Sequence, residues 1–303
     1  VVKILVLGVP GIVADSWQQD IVDDARRIGW TVDVARAAGT PTRDIVSAAR
    51  GADILLWTYT HLYEPRGDAR EMLRRIEDAG TVTVGIHLDL YWSLRHREGR
   101  IGKAPWWTCQ YVYTSDGGQR DWASRGVNHR WLPPAVGRSK LGRAPAQGKH
   151  RYIFTGAYAH NIHGNHRAKM LAWARRRWGR NFKWYGTSIH SRIYGEQLSR
   201  AVAYAHCVLG DAAPAPYYWS DRVPRILCRG GVLAHPRVEG LKEQGFDESN
   251  VVLFDRYDFD GLGRQLDEMT EVRREEMRES GLAVVRDRHL WEHRLVAIAE
   301  EVL

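Results

Sequence analysis

The chain has 303 residues, 44% of them hydrophobic, and carries 44 Lys and Arg against 36 Asp and Glu, a net charge of +8. That length suits two Rossmann-sized halves of roughly 150 residues each, with enough apolar content for buried cores. No apolar run approaches the roughly 20 residues that cross a bilayer, which excludes membrane insertion, and three cysteines without a C-x-x-C pair (Cys109, Cys207, Cys228) exclude a disulfide framework and a thiolate metal site and point to a reducing, cytoplasmic setting.

Along residues 1–136, short apolar runs alternate with amphipathic stretches. Strands are predicted at Ile4–Leu7, Thr31–Val34, Ile54–Trp57 and Val82–Ile86, and helices at Asp15–Ile28, Arg43–Arg50 and Ala69–Asp78. This alternation argues a parallel sheet. Ile54-Leu55-Leu56-Trp57 is apolar at every position, as expected of a strand covered on both faces in a doubly wound α/β fold. The first run is of strand length and leads into Gly8-Val9-Pro10-Gly11, so it does not read as a signal peptide. The strand at Val82 runs into His87-Leu88-Asp89, at the end of a sheet where such folds bind ligands. Period-two spacing sends both polar side chains to one side, so Asp89 and His87 are candidates for a general base, the alternative being a turn-capping Asp with a merely hydrogen-bonded His. Asp15 is a weaker candidate base that reads equally as a helix cap. Tyr91, Trp92, Trp106 and Trp107 follow, interleaved with Arg95, Arg97, Arg100 and Lys103, and Arg120 lies further on. Aromatics among cations fit a stacking surface for bases or sugars; buried loop anchors give the same pattern.

Residues 120–200 hold 17 Lys and Arg against two acids, Asp121 and Glu196, so this band is +15 and the remainder −7. Of the 44 basic residues, 37 are Arg, the side chain suited to bidentate phosphate contact. Such a band is the footprint of a polyphosphate or nucleic-acid partner, or of a solvated basic face. Within it, residues 137–150 form a linker, part of a stretch from Pro133 to Lys149 that is rich in Gly, Pro, Ala and cations without apolar periodicity. A second domain spans 151–285, with strands expected at Tyr152–Thr155, Phe182–Tyr185, Cys207–Leu209, Val232–Ala234 and Val251–Phe254. His160, His163 and His166 share one loop, weakly suggestive of zinc, although no acidic or thiol fourth ligand is near and donor contact by His163 or His166 is favoured. Tyr218 to Pro236 reads as polar loop, short helix, glycine pair and buried strand. Ser220 is placed to cap that helix, whose start would be an anion site, and Gly230 and Gly231 permit a sharp turn and a close ligand approach. An ordinary helix–Gly–strand connection has the same appearance. Residues 286–303 carry Leu290, Trp291, Leu295, Ile298 and Val302 at helical spacing and need a surface to close on.

Several of these segments together resemble the CgeB-like glycosyltransferases, including those of actinobacteriophages. They are Thr114-Ser115-Asp116-Gly117-Gly118, Gly126 to Ala135, Phe154-Thr155-Gly156-Ala157-Tyr158, Trp184-Tyr185-Gly186 and Asp211 to Glu239. The resemblance is good over residues 80–300 and is one of pattern only before that. It implies the GT-B architecture: two Rossmann-like domains facing across a cleft, with a C-terminal helix packing back. It also implies a nucleotide-sugar co-substrate, UDP-linked by preference, with no tightly bound cofactor and no required metal. The implied donor residues are Gly156, Tyr158, His163, His166, Arg167, Lys169, Ser220, Arg222, Gly230 and Gly231. The family's Ser-x-Arg-x-x-Glu helix departs here, since Arg225 stands in place of the acid. Glu239 is then expected to hold the donor ribose, and Arg225 a donor phosphate. The acceptor implied by phage members, together with the basic band, is DNA carrying a 5-hydroxymethylpyrimidine, its base flipped from the duplex. The alternatives are a protein, glycan or small-molecule acceptor, or a non-catalytic binder of nucleotide or DNA.

Overall fold

Strands that are apolar at consecutive positions need cover on both faces, and helices supply it here. The computed structural model describes residues 1–11, 15–58, 64–118, 120–157 and 164–303, and of Arg95 and Ile189 the backbone alone. Two units divide the chain, Val1–Pro133 with Trp291–Leu303, and Pro134–Leu290.

The first unit alternates β1 (Lys3–Gly8), α1 (Trp17–Arg27), β2 (Thr31–Arg36), α2 (Thr42–Ala48), β3 (Ile54–Trp57), α3 (Ala69–Asp78) and β4 (Val82–His87). A short α4 (Arg95–Glu98), β5 (Tyr111–Thr114) and β6 (His129–Trp131) follow. The six strands form one parallel sheet in the order β2-β1-β3-β4-β5-β6. All four residues of β3 are buried, as its unbroken apolar run requires. Helix starts follow local chemistry: Ser16 accepts the Gln18 N–H ahead of α1, and Asp68 accepts those of Arg70 and Glu71 ahead of α3. Asp15, read in the sequence as a cap or a base, instead takes a left-handed backbone (φ +62°) one residue before the true cap. The last helix, α10 (Trp291–Val302), packs on α1 through the stacked rings of Trp17 and Trp291, 5.7 Å apart. It is pinned by Tyr113 Oη donating to Glu301 at 2.6 Å and by Arg294 donating to the Pro133 carbonyl at 3.0 Å. Trp291, Leu295 and Ile298 are buried, which is what their spacing demanded.

The second unit contains β7 (Tyr152–Thr155), α5 (His166–Trp178), β8 (Phe182–Tyr185), α6 (Gly195–Tyr204) and β9 (Cys207–Leu209). Then come α7 (Arg222–Leu227), β10 (Leu233–Pro236), β11 (Val251–Phe254), α8 (Phe259–Glu268) and α9 (Glu271–Arg288). Its sheet is parallel in the order β11-β10-β9-β7-β8. The chain passes from β7 to β8 on one side and then to β9 on the other, so the strand order reverses at β7. A crevice opens beyond the carboxyl ends of strands at such a reversal, and it is the default ligand position of open α/β sheets. Among the described residues, no helix is long and apolar enough to cross a membrane.

Candidate functional site

A pocket of about 250 Å³ opens in the second unit at the carboxyl ends of β7 and β8. Thr155, Gly156 and Ala157 form one wall, Tyr185 and the segment Arg192-Ile193-Tyr194 another, with Leu198 from α6. Asp221, Arg222 and Arg225, at and within the start of α7, complete it. Gly156 has φ +141°, and a Cβ there would sit 2.7 Å from the Arg222 guanidinium, so the missing side chain is what lets Arg222 lie across the strand end.

Beneath the pocket, Asp211, fully buried at the end of β9, joins two arginines. Arg167 grips it bidentately, Nε to Oδ2 at 2.8 Å and Nη2 to Oδ1 at 3.0 Å. Arg222 Nη1 donates to Oδ1 at 3.1 Å and Arg222 Nε to the Thr155 carbonyl at 3.1 Å. Arg167 also donates to the carbonyl of Ala157 on the pocket wall. Both guanidiniums lie over the Phe154 ring, at 5.4 and 4.9 Å from its centroid. Burial pulls the Arg222 guanidinium below its ordinary pKa, while Asp211 acts in the opposite direction. Two buried cations against one buried anion leave a net positive charge under the pocket floor. At the pocket wall, burial raises the Tyr185 phenol.

Of the donor residues expected from the sequence, the structure brings Gly156, Arg167, Ser220, Arg222 and Arg225 together here. Ser220 Oγ accepts the Arg222 N–H at 3.4 Å. The helix it precedes has only six residues, so the positive charge comes from side chains and not from a helix dipole. Tyr158 and His163 lie outside the described residues, as does His160. His166 is fully buried against the rings of Phe254, Tyr257 and Phe259, a core position and not a pocket wall. Lys169 is exposed, with Nζ 5.3 Å above the Tyr257 ring. Gly230 and Gly231 follow the far end of α7 and do not line the pocket. A Cβ on Gly231 would meet Ile226 Cγ2 at 2.7 Å and Val202 Cγ1 closer still, so this glycine serves helix–strand packing. Glu239 is exposed in the turn after β10, away from the pocket lining, and its carbonyl accepts the Tyr217 N–H. It is therefore not placed to replace the family acid there. Sequence reasoning missed Asp211 as the anchor, although an acid two residues beyond a buried strand is itself a signal. It also missed Tyr185, Arg192, Tyr194 and Asp221 as wall residues.

In the first unit, β4 ends in His87, which is 1% exposed, and the loop beyond it presents Asp89, whose side chain is 39% exposed. The two are not equivalent partners on one face, as period-two spacing suggested. His87 is stacked on Trp106 at 5.2 Å, edge-on to Tyr91 at 4.8 Å, and has Nε2 3.9 Å from Asp89 Oδ2. Asp89 pairs with Arg97 at 3.0 Å, and Arg97 Nη1 also donates to the Leu90 carbonyl. The next turn is built on Asp116, fully buried beyond β5, whose Oδ2 accepts the N–H groups of Tyr91 and Trp92, each at 2.7 Å. Burial pushes this carboxyl up to about 6. Ser93, beside it, takes φ +68°.

Trp106 and Trp107 are 2% and 1% exposed and stack on each other at 3.9 Å. The chain of rings continues through Trp107 and Trp122 to His129, which stacks on Trp122 at 4.0 Å. Their faces are covered, so they are anchors of the core and cannot take a base or sugar between them. Tyr91 is also buried, its phenol raised to about 12 by burial, with the Arg97 guanidinium 5.8 Å from its ring. Trp92 is half-buried under Arg125 at 5.6 Å, and Arg120 is half-buried near Asp116. The side chain of Arg95 lies outside the described residues.

Residues 150–300 match the glycosyl transferase-like family. Sucrose-phosphate synthase from Thermosynechococcus elongatus shares the fold with a TM-score of 0.65 at 13% identity, over 99% of this chain and 98% of that one. HepE from Anabaena, in complex with UDP and glucose, superposes with a TM-score of 0.65 at 10% identity over 100% of both chains. A glycosyltransferase from Rickettsia africae gives 0.64 at 8% identity, over 99% of this chain and 98% of that one. No curated protein matches the chain by sequence. Two parallel Rossmann-like sheets of the GT-B fold, the second of them within a glycosyl transferase-like domain, identify the protein as a glycosyltransferase.

Proposed function

We propose that the protein transfers a sugar from a UDP-sugar bound in the second-unit pocket to an acceptor hydroxyl. The observation that carries this reading is the charge of that pocket. Arg192, Arg222 and Arg225 line it with Asp221, and the paired Arg167 and Asp211 lie beneath, four cations against two anions in all. The surplus of two matches a diphosphate with one negative charge per phosphate. Tyr185 and Tyr194 add aromatic surface for a base. HepE, which shares the fold at 12% identity and a TM-score of 0.62, has been crystallised with UDP-glucose.

In the transfer, the acceptor oxygen bonds to the anomeric carbon as the bond from that carbon to the phosphate oxygen breaks. The electron pair leaves on UDP, where the guanidiniums stabilise it. In an inverting transfer the hydroxyl proton passes to a carboxylate, and Asp89, half-buried and paired with Arg97, is the residue proposed for it. His87 acts from behind, as a buried neighbour.

For the acceptor, 5-hydroxymethylpyrimidine in DNA is the reading favoured by exposed cations on the second unit. Lys149, Arg151, Arg175, Arg176, Arg180 and Lys183 are all exposed near the amino ends of β7 and β8. That is the end of the sheet opposite the pocket, so they would track phosphates and not present the base. The test is mass spectrometry of hydroxymethylcytosine- and hydroxymethyluracil-containing DNA after incubation with UDP- and GDP-sugars, with diphosphate release followed in parallel. A hexose-sized mass gain supports both parts of the proposal. UDP release without DNA modification keeps the transferase and moves the acceptor elsewhere, and GDP-sugar use alone refutes the UDP assignment.

A further inference from the structure

Asp221 is the only carboxylate among the described residues that line the pocket. It occupies the N-cap position of α7, where an Asp ordinarily accepts a backbone N–H, yet its side chain caps nothing. Ser220 Oγ receives the Arg222 N–H instead. The Asp221 carboxylate stands 3.7 Å from the Arg225 guanidinium, too far for a good hydrogen bond, and 47% of the side chain is exposed. Asp211, the other acid nearby, is fully buried and taken up by two guanidiniums. The charged side chains around the pocket are otherwise arginines, which carry donors and no acceptor. A ligand bearing a vicinal diol needs an acceptor in such a pocket, and a carboxylate presents two oxygens at matching spacing.

We infer that Asp221 reads the ribose of the donor nucleotide, its carboxylate accepting the 2′- and 3′-hydroxyls while Arg225 holds it against the pocket wall. This rests on the UDP-sugar reading above. It gives Arg225 a role that an acid at the same position could not fill, since the cation fixes the neighbouring carboxylate by charge. It also makes the pocket selective for ribonucleotides, because a site built to bind a hydroxyl discriminates strongly against an analogue lacking it.

The experiment is calorimetric titration of the full chain with UDP, 2′-deoxy-UDP and 3′-deoxy-UDP, for the wild type, Asp221→Ala and Asp221→Asn, with melting temperatures as a check on folding. The wild type should bind UDP about tenfold to hundredfold more tightly than either deoxy analogue, the effect of one hydrogen bond to a charged acceptor. In Asp221→Ala the three nucleotides should bind alike. Asp221→Asn, retaining one acceptor oxygen, should keep only part of the preference; it decides the matter if Asp221→Ala binds no nucleotide. Discrimination undiminished in the variants, or absent from the wild type, overturns the inference alone, because UDP still binds. A wild type that binds none of the three overturns the donor reading and this inference with it.

Discussion

Replacing Asp116 with Asn should make the first unit more stable at neutral pH, against the usual outcome for a buried polar residue. The carboxylate is fully buried, its Oδ2 accepts two N–H groups, and its Oδ1 has no hydrogen-bond partner among the described residues. Burial raises the folded-state pKa to about 6 from 3.8. A folded pKa above the unfolded one means that the group's contribution is fully present below about pH 4 and lost as the pH rises through 6. A shift of about two units corresponds to about 3 kcal/mol at pH 8. The Asn side chain stays neutral, and its carbonyl oxygen can accept the same two N–H groups. The stability difference, variant minus wild type, should therefore grow by about 3 kcal/mol between pH 4 and pH 8. Urea unfolding read through tryptophan fluorescence would show this as a midpoint gain of roughly 1–3 M, from typical denaturant slopes. Trp107 and Trp122 lie in the ring cluster nearby and report on this unit. A pH-independent difference, or a variant that loses ground as the pH rises, would refute the reasoning.

Burial lowers the His129 imidazole to about 3, and its Nε2 lies 2.8 Å from Thr114 Oγ1. Its contribution is thus present above about pH 6.5 and is lost as the pH falls toward 3, at up to about 1.4 kcal/mol per pH unit; His129→Gln should flatten the acid limb of the unfolding curve. Asp211→Asn should cost about 3–5 kcal/mol in urea unfolding of the second unit, since Arg167 and Arg222 are left buried without their counter-ion. Arg192 is exposed and lines the pocket, so Arg192→Ala should leave the melting temperature unchanged while weakening UDP binding about tenfold or more. Gly231→Ala should destabilise by about 1–3 kcal/mol through overpacking against Val202 and Ile226, with UDP affinity retained in the folded fraction.

Much of the architecture was legible because each strand announces itself locally. Ile54–Trp57 and Val251–Phe254 are apolar at every position, and both are fully buried strands of parallel sheets. The spacing of Trp291, Leu295 and Ile298 likewise foretold a helix with one buried face. Gly156, Arg167 and Arg222 were found because the order of motifs carries them together. What the sequence concealed depends on partners far away in the chain. Asp211 gains its position only when β7 and β9 lie side by side, and Asp221 is distinguished from a capping Asp only by where its side chain goes. Trp106 and Trp107 show the ambiguity most plainly, since aromatics among arginines read the same on a stacking surface and in a core roofed by charged loops. Burial on the far side of the loop, set by Gly85 and Cys109 packing against Trp106, decided between them.

The most direct test of the account is calorimetric titration of the full chain with UDP, followed by displacement with UDP-glucose. The arginine-lined pocket of the second unit predicts saturable binding of one UDP per chain, competed by the sugar nucleotide and weakened by Arg192→Ala. No binding at millimolar UDP, or binding indifferent to Arg192, would contradict the assignment of that pocket to the donor.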